Sequence, residues 1–242
     1  MYIKHVTITG ADDSTNHKDL LELSLKYPML EWAILFSENK EGTARYPSRK
    51  WREEFYNTVP NVFRSAHLCG GPFLKKFATA DETLKKELEN YQRLQLNFNK
   101  KHVNDDVYAQ LVNNTKDVTF KYKDFYPITV ITQYNSANCL IHNDFKGQNH
   151  AVLFDASGGN GIAPDSLESV IEGIPCGYAG GICPSNIDCM LDKIKDAASH
   201  TSIWIDMESG VRTNNVLDLE KVSEVLEKVV QYQLNTLKMD YN

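Results

Sequence analysis

The sequence is short of the features that would place the protein in several large classes. Its 242 residues include only five cysteines, Cys69, Cys139, Cys176, Cys183 and Cys189. They are odd in number and contain no CxxC pair, so neither a disulfide framework nor a structural zinc site is indicated. No apolar run approaches the ~18 residues of a membrane span, and the opening MYIKHVTITG has no long apolar stretch of the kind that marks a secretory signal. There is no excess of positive charge either. Lys and Arg number 26 against 32 Asp and Glu, a net charge of −6, which argues against a nucleic-acid or anionic-membrane partner. A phosphorylated small molecule remains compatible, because backbone amides bind phosphate without net positive charge. The expectation is a cytoplasmic protein with reduced thiols, a monomer or homodimer, acting on a small phosphorylated ligand.

What is present is alternation. Short β-branched runs recur at Tyr2–Thr9, Glu31–Phe36, Phe63–Leu68, Arg93–Asn97, Ile128–Thr132, Ala151–Asp155, Cys176–Ala179 and Ile203–Met207. Between them lie amphipathic stretches that begin near Asn16, Ser48, Phe73, Asp105, Asn135, Asp165, Ser185 and Asp218. Eight strands alternating with eight helical segments in roughly 250 residues predict an α/β fold, a single (β/α)8 TIM barrel over residues 1–242. The last helix is the clearest, with Leu219, Val222, Val225, Leu226 and Val229 at helical spacing behind Asp218 as N-cap. The rival doubly wound sheet wants a glycine-rich phosphate loop after the first strand, and TGADD is not one. The stretch Asn113–Tyr126 reads as a long connection with room for an extra turn or strand.

The glycines gather late. The seventh strand ends in CGYAGGICPSN and the eighth in IDMESGVRTNN. Gly180 and Gly181, followed by a helix start at Pro184-Ser185-Asn186, and Ser209-Gly210 after Glu208 would offer two sets of amides on neighbouring strands, a phosphate cradle. Read blandly, the same glycines serve tight turns. The sixth strand ends in LFDASGGNG, which puts Asp155 at the barrel mouth before Gly158, Gly159 and Gly161. A partly desolvated carboxyl there suits a general acid, and a capping Asp is the alternative. Asn97 and Asn99 after the fourth strand, and Gln133, Asn135 and Asn138 after the fifth, would line the same mouth with donors and acceptors. Asn135 and Asn138 fit turn formation equally well. His67 lacks a second clustered His or acid in the sequence, so no metal site is expected. In the run Arg45, Arg49, Lys50 and Arg52, a solvated helix face is the expectation for all but Arg45.

These late motifs resemble the phosphoribosylanthranilate isomerase family, whose strand-6 Asp with a glycine-rich turn, strand-7 GG(I/L)xPxN and strand-8 D-x-x-SGV correspond to LFDASGGNG, AGGICPSN and IDMESGV. The likeness is strong from about Ala151 to Val211 and weaker upstream, where Arg45-Tyr46 and SAHLCGG, with His67 and Gly70, match family loops. The resemblance implies an Amadori rearrangement of a phosphoribosylamine by acid/base catalysis, with no metal or organic cofactor. It puts Asp155 on the general acid, Arg45 on the residue that holds the aromatic carboxylate, and Gly159, Gly180, Gly181, Ser209 and Gly210 at the phosphate.

One departure stands out. The family's general base is a strand-1 cysteine, and this chain has Thr9 in its place. A threonine hydroxyl is too weakly acidic to serve as a C–H base near neutral pH. Cys69, Asp12 and Asp13 are the substitutes that the sequence offers. The alternative is a non-catalytic barrel that captures a phosphoribosyl or nucleotide-like ligand.

Overall fold

The computed structural model describes residues 1–147, 149–155, 166–199 and 201–240. Eight parallel strands close on one another in chain order: β1 Tyr2–Thr9, β2 Leu30–Phe36, β3 Phe63–Cys69, β4 Arg93–Asn97, β5 Thr129–Tyr134, β6 His150–Phe154, β7 Cys176–Ala179 and β8 Ser202–Met207. β8 pairs with β1 to complete the ring, in a register that sets Ile8 beside Met207. This is the (β/α)8 barrel that the alternation predicts. Because every strand runs the same way, all eight C-terminal ends open on one mouth.

The helices are α1 His17–Lys26, α2 Arg49–Thr58, α3 Gly71–Ala78, α4 Glu82–Leu88, α5 Asp105–Lys116, α6 His142–Phe145, α7 Ile187–Ala198 and α8 Leu219–Asp240. Most start where a side chain satisfies the first amides. Asn16 accepts from Lys18 N, Ser48 from Trp51 N, Asp81 from Leu84 N, Asn104 from Asp106 N, and Asp218 from Glu220 N and Lys221 N. The α4 helix was not expected from the sequence.

Two expected helices are corrected. The segment after Asn135 yields only the four-residue α6. Asn135 and Asn138 spend their side chains on backbone groups instead: Asn135 Oδ1 accepts from Ala137 N, and Asn138 donates to Phe98 O at 2.6 Å while accepting from Lys100 N. Residues 166–175 contain no helix. Gly173 turns there with φ of 75°, and Pro175 leads straight into β7. Asp165 itself lies outside the described residues.

The long connection before β5 holds a two-stranded hairpin, Lys121–Tyr122 against Tyr126–Pro127. Lys123 N donates to Glu89 O, in the turn that enters β4. The hairpin therefore sits at the end of the barrel opposite the mouth.

Alternation along each strand sorts the interior into two parts. Residues such as Val6, Ile8, Trp32, Ile34, Leu94, Leu96, Val152 and Ile205 face the helices and form the large core. Among the described residues the lumen holds a small apolar cluster, Ile131, Ala151, Leu153 and Trp204, with Leu35 near the mouth. The rest of its buried wall is polar, including Thr7, Glu31, Ser65, His67, Arg93, Gln95 and Asp206. Near the middle, Thr7 Oγ1 donates to Glu31 Oε2 at 2.7 Å, and Arg93 reaches the same oxygen at 3.3 Å with its guanidinium 4.1 Å from the Trp204 ring.

Candidate active site

The mouth contains a cavity of about 590 Å³ whose floor is formed by Thr9, His67, Gln95 and Asp206 and whose walls include Asn97, Gln133, Asp155 and the loops after β7 and β8. It shares Leu35, Asn97, Gln133 and Glu208 with an adjoining basin of about 940 Å³ under the loop after β2. Both are open to solvent, and together they have the mixed polar and apolar lining of a small-ligand site.

Asp155 follows directly from β6. It is buried, its backbone N–H donates to Tyr134 O, and its Oδ2 accepts from Gln133 Nε2 at 3.1 Å. Gln133 thus fixes the carboxyl as well as lining the cavity.

The two loops expected to bind phosphate meet. Gly180 and Gly181 have φ of 109° and 62°, a region that favours glycine. Asn186 holds this loop by accepting from Cys183 N and donating to Gly181 O. Gly210 lies so close to the β7 loop that a Cβ would stand 1.9 Å from Ile182 O. Ser209–Val211 is a turn of 3-10 helix without a side-chain cap among the described residues, and Val211 N donates to Glu208 O. Gly159 lies outside the described residues.

Arg45 stands on the loop after β2, with φ of 76°. Its backbone N–H donates to Asp12 Oδ2 at 2.6 Å, and its guanidinium donates to Glu208 Oε1 at 2.7 Å and Asn215 Oδ1 at 3.0 Å. It is at the mouth, as expected, but already engaged with an internal carboxylate.

The proposed substitute bases fare differently. Cys69 lines the outer basin, yet burial pushes its thiol up to about 11, so little thiolate forms near neutral pH. Asn97 Nδ2 donates to its sulfur at 3.2 Å and Asn97 Oδ1 accepts from Gln95. Asp13 ties the loop after β1 to the start of α2. Its carboxylate accepts from the backbone N–H and hydroxyl of Ser48, at 2.7 and 2.5 Å. Asp12 is similarly spent on Arg45 N, Ser14 and Arg212. Arg52 is also a correction. It is buried rather than solvated, paired with Glu87 at 2.7 Å and Glu41 at 3.3 Å, and packed over the Phe36 ring.

Thr9 instead donates its hydroxyl proton to Asp206 Oδ1 at 2.8 Å across the seam between β1 and β8. Asp206 Oδ2 stands 3.9 Å from His67 Nε2. Burial is the main influence on both groups: it raises the Asp206 carboxyl to about 7 and lowers His67 to about 3, so the imidazole is neutral. His67 Nε2 has no hydrogen-bond partner among the described residues. In the sequence, Asp206 stands out only as a letter of the IDMESGV motif. The available signal was the inward parity of Asp206 with Trp204 on β8. No cluster of three or more His, Cys, Asp or Glu with metal-holding geometry occurs among the described residues, and none of their helices is long and apolar enough to cross a membrane.

The family model of N-(5'phosphoribosyl)anthranilate (PRA) isomerase matches residues 85–228. A curated relative, N-(5'-phosphoribosyl)anthranilate isomerase of Geobacillus thermodenitrificans (strain NG80-2), is 36% identical over 84 residues, which cover 32% of this chain and 35% of that protein. The match thus spans about a third of the relative's length. Among solved structures, N-(5'-phosphoribosyl)anthranilate isomerase from Pyrococcus furiosus superposes with a TM-score of 0.59 at 18% identity, covering 94% of this chain and 98% of that one. The Thermococcus kodakaraensis phosphoribosyl anthranilate isomerase gives 0.53 at 16%, covering 94% and 99%. At these identities the structural likeness speaks for the barrel alone.

Proposed function

Since the chain belongs to the phosphoribosylanthranilate isomerase family, we propose that it is an isomerase that converts a phosphoribosylamine to the corresponding 1-amino-1-deoxyribulose phosphate. One observation carries the reading: a buried carboxyl held by Gln133 and two facing glycine loops border the same cavity at the barrel mouth.

The amides of Gly180, Gly181, Ser209 and Gly210 are proposed to hold the phosphate, with Gly159 as a further candidate. That anchor sets the sugar across the floor. Asp155 then gives its proton to the ring oxygen, the C1–O bond breaks, and the amine nitrogen's lone pair forms a C1=N bond. A base removes the C2 proton, and the resulting enolamine tautomerises to the ketone. Asn97 and His67, which line the cavity, are assigned to the sugar hydroxyls, and Arg45, in the adjoining basin, to a carboxylate on the amine substituent.

A second reading is favoured by Thr9: a barrel that binds the phosphorylated ligand without converting it. Turnover of freshly prepared phosphoribosylanthranilate by the wild type and by Asp155→Asn separates the two. Turnover that falls by ~100-fold or more in the variant supports the isomerase, given the usual size of a general-acid contribution. Absence of turnover in the wild type, with retained ligand binding, supports capture.

A further inference from the structure

We propose that Asp206, held by Thr9, is the general base that removes the C2 proton in this site. The proposal rests on the isomerase reading above and names the group that the loss of a strand-1 cysteine leaves unassigned.

A base here must face the sugar, ionise near neutral pH and have an oxygen not committed to a cation. Most carboxylates at the mouth are committed. Asp12 accepts from Arg212 and from the Arg45 backbone, Asp13 accepts from Ser48, and Glu208 is paired with Arg45. Glu31 is bound by Thr7 and Arg93 below the cavity floor. Asp155 is assigned to the acid. Cys69 keeps its proton until far above neutrality.

Asp206 meets each requirement. It lines the cavity together with Asp155. Its Oδ1 is fixed by the Thr9 hydroxyl, which stabilises the carboxylate and orients Oδ2. His67 Nε2, at 3.9 Å from Oδ2, is outside hydrogen-bond reach and is neutral, while Arg93, whose charge favours the Asp206 carboxylate, is paired with Glu31, and Glu31 and Glu208 both oppose its ionisation. Thr9 thus acts as a positioning residue: the position that holds a base in the family holds the neighbour of one here. The elevated ionisation of Asp206, about 7, falls where a general base at neutral pH is most effective.

The step balances. Oδ2 of ionised Asp206 takes the C2 proton. The C2–H electron pair forms the C1=C2 bond, and the C1=N π pair returns to nitrogen, giving a neutral enolamine. Asp206 then returns its proton to C1 as the enol O–H is lost to Asp155 and C2=O forms. Both carboxyls finish as they began.

The test uses the full chain and phosphoribosylanthranilate, unlabelled and deuterated at C2. Wild-type kcat/KM should fall tenfold per pH unit below a limb near 7, with a primary isotope effect on the C2 proton. Asp206→Asn should lose at least ~1000-fold in kcat while binding the alcohol formed by reducing the product ketone within threefold of wild type. Thr9→Val should lower kcat, because Oδ2 loses its orientation, and move the limb to higher pH by about one unit, because the carboxylate loses its donor. A purely structural Asp206 would not give that shift. Asp206→Asn retaining more than a tenth of wild-type turnover overturns the assignment, as does a limb unmoved in Thr9→Val, which decides the matter if Asp206→Asn does not fold. No turnover in the wild type overturns the isomerase reading first, and the base with it.

Discussion

Arg45 and Glu208 close on each other across the barrel mouth, Nη1 to Oε1 at 2.7 Å, each side chain about 30% exposed. The guanidinium that would receive a carboxylate on the substrate's amine substituent already holds one. Binding must therefore displace or share Glu208. Glu208→Gln removes the competing charge, and the expected result is a two- to fivefold lower KM for phosphoribosylanthranilate with kcat little changed, because a partly exposed pair contributes only about 0.5–1 kcal/mol. Steady-state kinetics at low salt would show it. A KM that stays constant or rises would mean that Arg45 does not receive the carboxylate.

Asp206 also ties stability to pH. Folding raises its carboxyl from 3.8 to about 7, chiefly by desolvation, so the native state holds a proton that the unfolded chain has released. Folding takes up that proton between about pH 4 and 7, and this contribution to stability is lost as pH rises through 7. His5 and His150, lowered to about 4, and His67, lowered to about 3, act in the opposite direction. They favour folding above 6.5, and that benefit is lost as pH falls. Asp206→Asn isolates the carboxyl. The variant should gain on the order of 2–4 kcal/mol relative to wild type at pH 8 and much less at pH 5. Urea unfolding at the two pH values measures this; an equal difference at both would show that Asp206 is not protonated by burial.

Arg52 offers a test of the scaffold behind the site. Apart from Arg45, the basic run reads as a solvated helix face, and α2 does expose Arg49 and Lys50 in i,i+4 pairs with Glu53 and Glu54. Arg52 turns inward, where its guanidinium links Glu87 and Glu41 and covers Phe36. Arg52→Met keeps much of the stem but leaves Glu87, itself largely buried, without its cation. A loss of about 2–4 kcal/mol in unfolding free energy is expected. A loss below about 0.5 kcal/mol would place the pair with ordinary surface bridges.

The barrel was legible because its signal is local and repeated. Tyr2–Thr9, Arg93–Asn97 and Cys176–Ala179 occur as read, and Asn16, Ser48 and Asp218 cap the helices they introduce. The errors arise where side chains compete with the backbone, as Asn135 and Asn138 do, or where Gly173 and Pro175 leave no room for a helix. At the site, the anomaly at Thr9 was visible in the sequence but its resolution was not. The hydrogen bond that gives Thr9 a role joins residues 197 positions apart and exists only once β8 closes on β1. The polar lumen was written in the alternation of His5-Val6-Thr7-Ile8-Thr9 and of Arg93-Leu94-Gln95-Leu96-Asn97. On an open sheet that pattern means one wet face; in a closed barrel the polar face points into the lumen.

Gly210 tests the phosphate cradle at its tightest point. The loops after β7 and β8 approach until a Cβ on residue 210 would stand 1.9 Å from Ile182 O and 2.9 Å from Cys183 Cβ. Neither neighbour is the far end of a flexible chain, so Gly210→Ala must push the loops apart and misalign the amides around Ser209. Affinity for inorganic phosphate and for the phosphorylated substrate should both fall by tenfold or more, with a stability loss of about 1–3 kcal/mol. Gly71→Ala is the control, since a Cβ at that position meets nothing within 4 Å. Calorimetric titration of both variants with phosphate reads the difference. If Gly210→Ala binds phosphate as wild type does, the ligand's phosphate sits elsewhere on the mouth and the cradle assignment fails. If only the alanine at 210 weakens binding, the two loops act as one site, because the substitution adds no charge, removes no donor and acts only through the spacing between them.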